Sequence, residues 1–366
     1  MRKALFAITA ITSISLFSGR VLSQDEDNDR APILPQLPTS PMHTISTVPL
    51  NGDLNPYGVA FVPPEFAPGG KTDPGDILVS NFNNSGNLQG TGTTIVSINP
   101  SGTRSLFFHG PKGLGLTTAL GVLRRGIVLV GNVPTTDGTS ATVQQGSLIA
   151  IDRFGKPIAS FTDSALLDGP WDLTLVDFGD EALVFVSNVL NGTVSRLEFD
   201  ISKNGESISL ESVNLIAQGY LHRSDPAALV VGPTGLALDR DRDVLFVAST
   251  GDNAIYEIHR ASKRSEPVNK GKLVYRDDAH LRGPLALLLA SNGHLITTNG
   301  DAVNGNSKEP SEMVEFTPSG RFVAQFSVDP SQGAAFGIAL GGPEDKQRLA
   351  AVGDATNTLD IWNLHD

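Results

Sequence analysis

The chain has 366 residues with no cysteine, 38 glycines and 23 prolines, and its 39 acidic side chains outnumber 27 basic ones for a net charge of −12. The missing thiol excludes disulfide staples, thiolate catalysis, cysteine-ligated zinc and a lipid-modified N-terminal cysteine. The acidic balance excludes nucleic acid as the partner, since no cationic surplus is present to displace its counterions.

Arg2 and Lys3 precede an apolar run from Ala4 to Phe17 that is too short to span a bilayer comfortably. Val21, Leu22 and Ser23 then meet an acidic stretch. Charged, apolar, then small is the order of a secretory signal peptide, so residues 1–23 are expected to be cleaved and the protein to be secreted or periplasmic. No later run is long and apolar enough to span a membrane. Residues 24–42 are acidic and then carry Pro32, Pro35, Pro38 and Pro41. Such a composition buries too little apolar surface to offset its ordering entropy, and a disordered tether is expected.

Residues 43–366 read as one domain built on an internal repeat. A strand ending in a small polar residue recurs as ILVSN (Ile77–Asn81), VLVGN (Val128–Asn132), VFVSN (Val184–Asn188), LFVAS (Leu245–Ser249), LITTN (Leu295–Asn299) and LAAVG (Leu349–Gly353). Each copy follows a turn and a first apolar strand, as in NPYGVAFV (Asn55–Val62), GPWDLTLV (Gly169–Val176) and GPTGLALD (Gly232–Asp239). Third and fourth strands follow most copies, and no helical period is sustained. Short strands divided by Gly, Asn and Pro turns are an all-β pattern. Six copies of four strands predict a six-bladed β-propeller. The last copy lacks a fourth strand, which the isolated strand His43–Leu50 is expected to supply, closing the ring.

The unit GPTGLALDRDRDVLFVASTGDNAIYEI (Gly232–Ile258) resembles an NHL repeat. Relatives of that appearance include extracellular scaffolds, the gluconolactonase and senescence-marker group of metal-dependent lactonases, and the peptidyl-hydroxyglycine lyase of peptide amidation. The resemblance implies the propeller and leaves the chemistry open. DGPWDL (Asp168–Leu173) is also similar to the Glu-Gly-Pro-x-Trp stretch of the lactonases, which implies a metal-binding role for Asp168. It departs in carrying Asp, in its Trp spacing and in lying in the third blade. Trp171 reads equally well as a core anchor between blades.

In a propeller, ligands gather where the innermost strands begin and the second strands end. Asn81, Asn132, Asn188 and Asn299 are placed there, with Asp252, Asp301 and Asp354 just beyond. The preceding loops bring Asn55, His109, Asp168, His222, Asp225 and His280. The asparagines could form an oxygen-rich ring around Ca²⁺, but Asn also stabilises tight turns, and its recurrence in several blades favours that role. His109, His222 and His280 could converge on Zn²⁺ with an open position for water, or be separate surface histidines. Two readings follow. The first is a monomeric binding or interaction module whose channel face takes a protein or small-molecule ligand, with the loops Asn83–Gly92, Pro134–Gln145 and Asp301–Pro310 making contact. The alternative is a metal-dependent hydrolase or lyase with a cation in the channel.

Overall fold

Runs of five to eight β-branched and aliphatic residues, cut by Gly, Asn and Pro turns, favour strands, and among the described residues only three short 3-10 turns accompany them. The computed structural model describes residues 31–300, 311–329, 331, 335–343 and 346–364. The expected signal segment lies outside the described residues, as do residues 24–30 and Asp301.

After β1 (His43–Ser46), blade one comprises β2 (Leu54–Phe61), β3 (Ile77–Asn83), β4 (Thr94–Ile98) and β5 (Arg104–His109). Blade two is β6 (Leu116–Leu123), β7 (Ile127–Asn132), β8 (Ser147–Asp152) and β9 (Pro157–Phe161). Blade three is β10 (Pro170–Asp177), β11 (Glu181–Asn188), β12 (Thr193–Ile201) and β13 (Ile208–Gln218). A hairpin of β14 (Arg223–Asp225) and β15 (Leu229–Val231) leads into blade four, which begins with β16 (Pro233–Asp239), β17 (Val244–Ser249) and β18 (Ala254–His259). The short β19 (Val268–Asn269) runs parallel to the edge of blade three before β20 (Lys272–Tyr275) completes blade four. Blade five is β21 (Pro284–Leu289), β22 (Leu295–Asn299), β23 (Ser311–Phe316) and β24 (Phe322–Asp329). Blade six is β25 (Ala335–Gly341), β26 (Arg348–Gly353) and β27 (Thr358–Asn363), and β1 pairs antiparallel with β27 from His43 opposite Ile361 to Ser46 opposite Thr358. The propeller expected from the repeat is therefore present, closed by the N-terminal strand, which is four residues long rather than eight.

Each blade packs on both neighbours, and the core divides into clusters that match the six interfaces between blades. Burial on two faces explains why β3, β7 and β17 open on continuous apolar runs rather than alternating ones. Among the described residues no helix is long and apolar enough to cross a membrane.

The expected tether is corrected over residues 31–42. Ile33, Leu34 and Leu37 are buried between blades five and six, against Ala286, Ile338 and Trp362. The buried carboxylate of Glu315 accepts the backbone N–H of Ile33 at 2.8 and 3.0 Å and that of Leu34 at 2.9 Å, as well as bonds from Asn292 and His294. Trp362 Nε1 donates to the Pro38 carbonyl at 3.1 Å. Few apolar residues suffice here because a groove between blades is already built to receive them.

Candidate functional site

The site begins with one position of the repeat. The innermost strands β2, β6, β10, β16, β21 and β25 all shift register near their start, a bulge shared by every blade. The residue at the head of the bulge points to the channel mouth, and it is Tyr57, Trp171, Thr234, Leu285 or Phe336 in five blades. These five line a cavity of about 250 Å³. Asn55, Asn83, Thr250 and Asp354 stand around it on neighbouring strand ends. Gln89 from the loop after β3, and Ala228 and Val230 from the β14–β15 hairpin, lean over it. Gln89 Nε2 donates to the Ala227 carbonyl at 3.3 Å, joining these two covers.

The ring system beneath is rigid. Tyr57 is stacked between Phe82 and Phe336, with centroids 4.5 and 4.2 Å away, and Trp171 meets Phe82 edge-on at 5.5 Å. The sequence holds only 2 Trp and 4 Tyr, too few for a dedicated aromatic platform on composition alone, yet one of each stands at this cavity. Asn55 Oδ1, Asn83 Oδ1 and Trp171 Nε1 belong to its lining and are buried without a hydrogen-bond partner in the protein. Asn83 itself is only 2% exposed.

The recurring asparagines all commit their amide nitrogens to backbone carbonyls. Each clasps the loop that enters its own blade, donating Nδ2 to the carbonyl of Thr47 (Asn81, 3.3 Å), Leu114 (Asn132, 2.9 Å), Leu166 (Asn188, 3.1 Å) or His280 (Asn299, 2.7 Å). Blade four uses Asp252 instead, which accepts the Leu221 N–H at 3.2 Å and pairs with Lys270 at 2.6 Å. The hydroxyl just before two of these asparagines stitches neighbouring blades together. Ser80 donates to the Thr117 carbonyl at 2.9 Å, and Thr298 to that of Phe336 at 2.7 Å. The small-polar-Asn ending of the repeat is thus a structural device.

The three histidines are not brought together. Among the described residues, no group of three or more His, Asp or Glu side chains is placed to hold a metal ion. His109 ends the outermost strand of blade one and is exposed. His222 bonds the Tyr220 carbonyl at 3.0 Å, and His280 pairs with Asp277 while stacking on Phe322 at 3.7 Å. Asp168 stays half-buried outside the cavity lining, where burial raises its carboxyl above the usual range and nearby His222 opposes the shift. Burial also pushes Asp225 upward, but N–H bonds from Ala228 and Ala227 and the Arg223 guanidinium outweigh it and hold the carboxyl low. Asp225 thereby fixes the hairpin that covers the cavity. Of the residues singled out in the sequence, Asn55, Trp171 and Asp354 line the cavity.

One residue missed by sequence reasoning lies a step further along the bulge. The position after the cavity-lining residue is Gly58, Ala119, Gly235, Ala286 and Gly337 in five blades and Asp172 in the third. Here the inner strands approach the axis closely: a Cβ at Gly337 would stand 1.9 Å from the Tyr57 carbonyl oxygen, and one at Gly235 2.3 Å from that of Leu285. Asp172 instead lines a second, roughly 70 Å³ cavity to which all six blades contribute, and it is the one acidic residue there. Its carboxyl accepts the N–H of Leu173 at 2.7 Å and of Leu236 at 3.2 Å. Burial raises it well above the usual carboxylate range, and these two bonds only partly oppose the shift. The signal was legible as the one acid in a column of Gly and Ala.

No family model matches the chain, and no curated protein does. Solved structures do. Regucalcin, a calcium-binding protein from Agrobacterium tumefaciens, is 13% identical with a TM-score of 0.51, the match covering 88% of this chain and 95% of that one. A gluconolactonase from Xanthomonas campestris is 13% identical at a TM-score of 0.50, over 88% and 96%. An α-L-arabinofuranosidase from Fusarium graminearum, solved with an iminosugar inhibitor, is 14% identical at 0.51, over 87% and 97%. At these identities the likeness is one of fold. The chain is a six-bladed β-propeller with regucalcin- and gluconolactonase-like proteins among its structural neighbours.

Proposed function

We propose that this propeller is a binding module whose ligand is a small organic molecule seated in the cavity at the channel mouth. The observation that carries the reading is the shared position at the head of the bulge, which turns side chains of five blades, three of them aromatic, toward one concave surface that also carries amide and hydroxyl groups. A concave apolar pocket with a few convergent polar groups is the usual form of a small-molecule site. A macromolecular partner would call for a broad face instead. The metal-dependent hydrolase or lyase is the weaker reading, because it needs three ligands at one point and the described residues offer no such group of His, Asp or Glu. Export of the mature chain is part of the proposal and rests on the order of residues in 1–23.

The test is a fragment screen by thermal shift on wild type and Ala228→Phe. Ala228 stands half-buried on the rim, so the larger ring fills the cavity without disturbing a blade core. Compounds that raise the wild-type melting temperature are expected to lose that effect in the variant, while the ligand-free melts coincide. Hits that stabilise both proteins equally would place the binding site elsewhere.

A further inference from the structure

Resting on that small-molecule reading, we propose that the cavity selects a neutral aromatic compound bearing a primary carboxamide. Three buried polar atoms of the lining have no hydrogen-bond partner in the protein: the acceptors Asn55 Oδ1 and Asn83 Oδ1, and the donor Trp171 Nε1. A buried polar atom left unpaired costs free energy that a ligand reaching it recovers. The three residues stand on adjoining elements. Leu54 pairs with Asn83 across β2 and β3, which sets Asn55 beside Asn83, and the Trp171 ring meets Phe82, the chain neighbour of Asn83, at 5.5 Å.

A primary carboxamide complements this set within one functional group, because its two N–H bonds donate and its carbonyl accepts. A ketone or ester answers the indole N–H alone, and a carboxylate sets its oxygens against both asparagine oxygens. Both asparagines are held in place before a ligand arrives. The Asn55 backbone is left-handed, with φ at 61°, and its N–H donates to Asn357 Oδ1 at 2.7 Å. Asn83 Nδ2 donates to Asn87 Oδ1 at 2.8 Å, which fixes the orientation of its amide. Tyr57, Trp171 and Phe336 supply aromatic walls for a ring attached to the carboxamide. A volume of about 250 Å³ lies below the range of drug-sized sites, so the ligand is a single-ring compound.

Benzamide and acetophenone separate the possibilities, since they share a ring and a carbonyl and differ by NH₂ against CH₃. Titration of each into the protein, followed by ligand-observed NMR, is expected to give benzamide an affinity about tenfold above acetophenone, a difference of about 1.4 kcal/mol. In Asn55→Gly that preference is expected to fall to about threefold or less. Glycine adopts the left-handed conformation freely, and circular dichroism melts verify that the variant is folded. Asn55→Asp keeps an acceptor at the same place and should retain the preference. A merely structural role for Asn55 would weaken both probes together and leave their ratio intact, and a tenfold preference that survives Asn55→Gly overturns the proposal. Equal or tighter binding of acetophenone to wild type also overturns it and leaves the small-molecule reading standing. Failure of both probes while other fragments still depend on Ala228 has the same consequence. Failure of both with no Ala228-dependent fragment overturns the two readings together.

Discussion

A chain beginning at Thr47 is expected to lose cooperative folding, whereas one beginning at Gln24 melts as a single domain. Removing β1 bares the edge of β27, and an unpaired edge in an otherwise closed ring invites association with other chains. The same deletion strips three apolar side chains, Ile33, Leu34 and Leu37, from the cluster between blades five and six. At roughly 1.5–3 kcal/mol per fully buried aliphatic side chain, their loss alone approaches the total stability of an ordinary domain. Glu315 would keep His294 and Asn292 but lose the two backbone N–H groups that now bond it, and a buried carboxylate stripped of donors is destabilising. A graded version is Leu34→Ala, expected to cost about 2–5 kcal/mol. Size-exclusion chromatography and thermal melts decide the matter. A soluble monomer from Thr47 that melts within a few degrees of the longer chain would refute the closure mechanism.

Asp172→Asn is expected to flatten the pH dependence of stability, and the sign follows from the direction of the shift. The folded carboxyl titrates well above its ordinary value of 3.8, chiefly through burial. Between the unfolded and folded values, the unfolded chain has released a proton that the folded chain still holds. Stability therefore falls as pH rises through that window and levels off only above the folded value. Asparagine does not titrate and removes this slope. It also gives up a second carboxyl oxygen, so one of the N–H groups of Leu173 and Leu236 loses its acceptor, at about 1 kcal/mol. Wild type should thus be the more stable form near pH 4 and the variant should gain on it steadily towards pH 8. Other carboxyls titrate in both proteins, so the difference between the two urea-denaturation series isolates Asp172. A difference independent of pH would mean that the axial acid is hydrated and ordinary.

The blade count and ring closure were legible because they depend on periodicity, which a sequence displays directly. The Ser-Asn and Thr-Asn strand endings were also visible, and their recurrence favoured a structural role, but which backbone group each one bonds was not legible. Whether Asn188 faces a cation or the Leu166 carbonyl depends on where a loop twenty-two residues earlier passes, and spacing along the chain does not report that. His109, His222 and His280 failed as a set for the same reason: each enters a different blade, and nothing in the sequence fixes their distance across the ring. The Pro-rich segment misled through averaging, since Ile33, Leu34 and Leu37 pack as individuals in a composition that looks disordered as a whole. Tyr57, Phe336 and Asp172 were readable in principle, by comparing one bulge position across six blades rather than searching for reactive residue types.

Intrinsic fluorescence tests the central claim most directly, because the chain has two tryptophans and only Trp171 lines the cavity. In Trp362→Phe the emission reports Trp171 alone. Titration with a compound that raises the melting temperature should shift or quench that emission saturably, and at the same concentrations that stabilise the fold. A compound that stabilises the protein to saturation while leaving the Trp171 spectrum untouched would show that the ligand sits away from the channel mouth, contradicting the account.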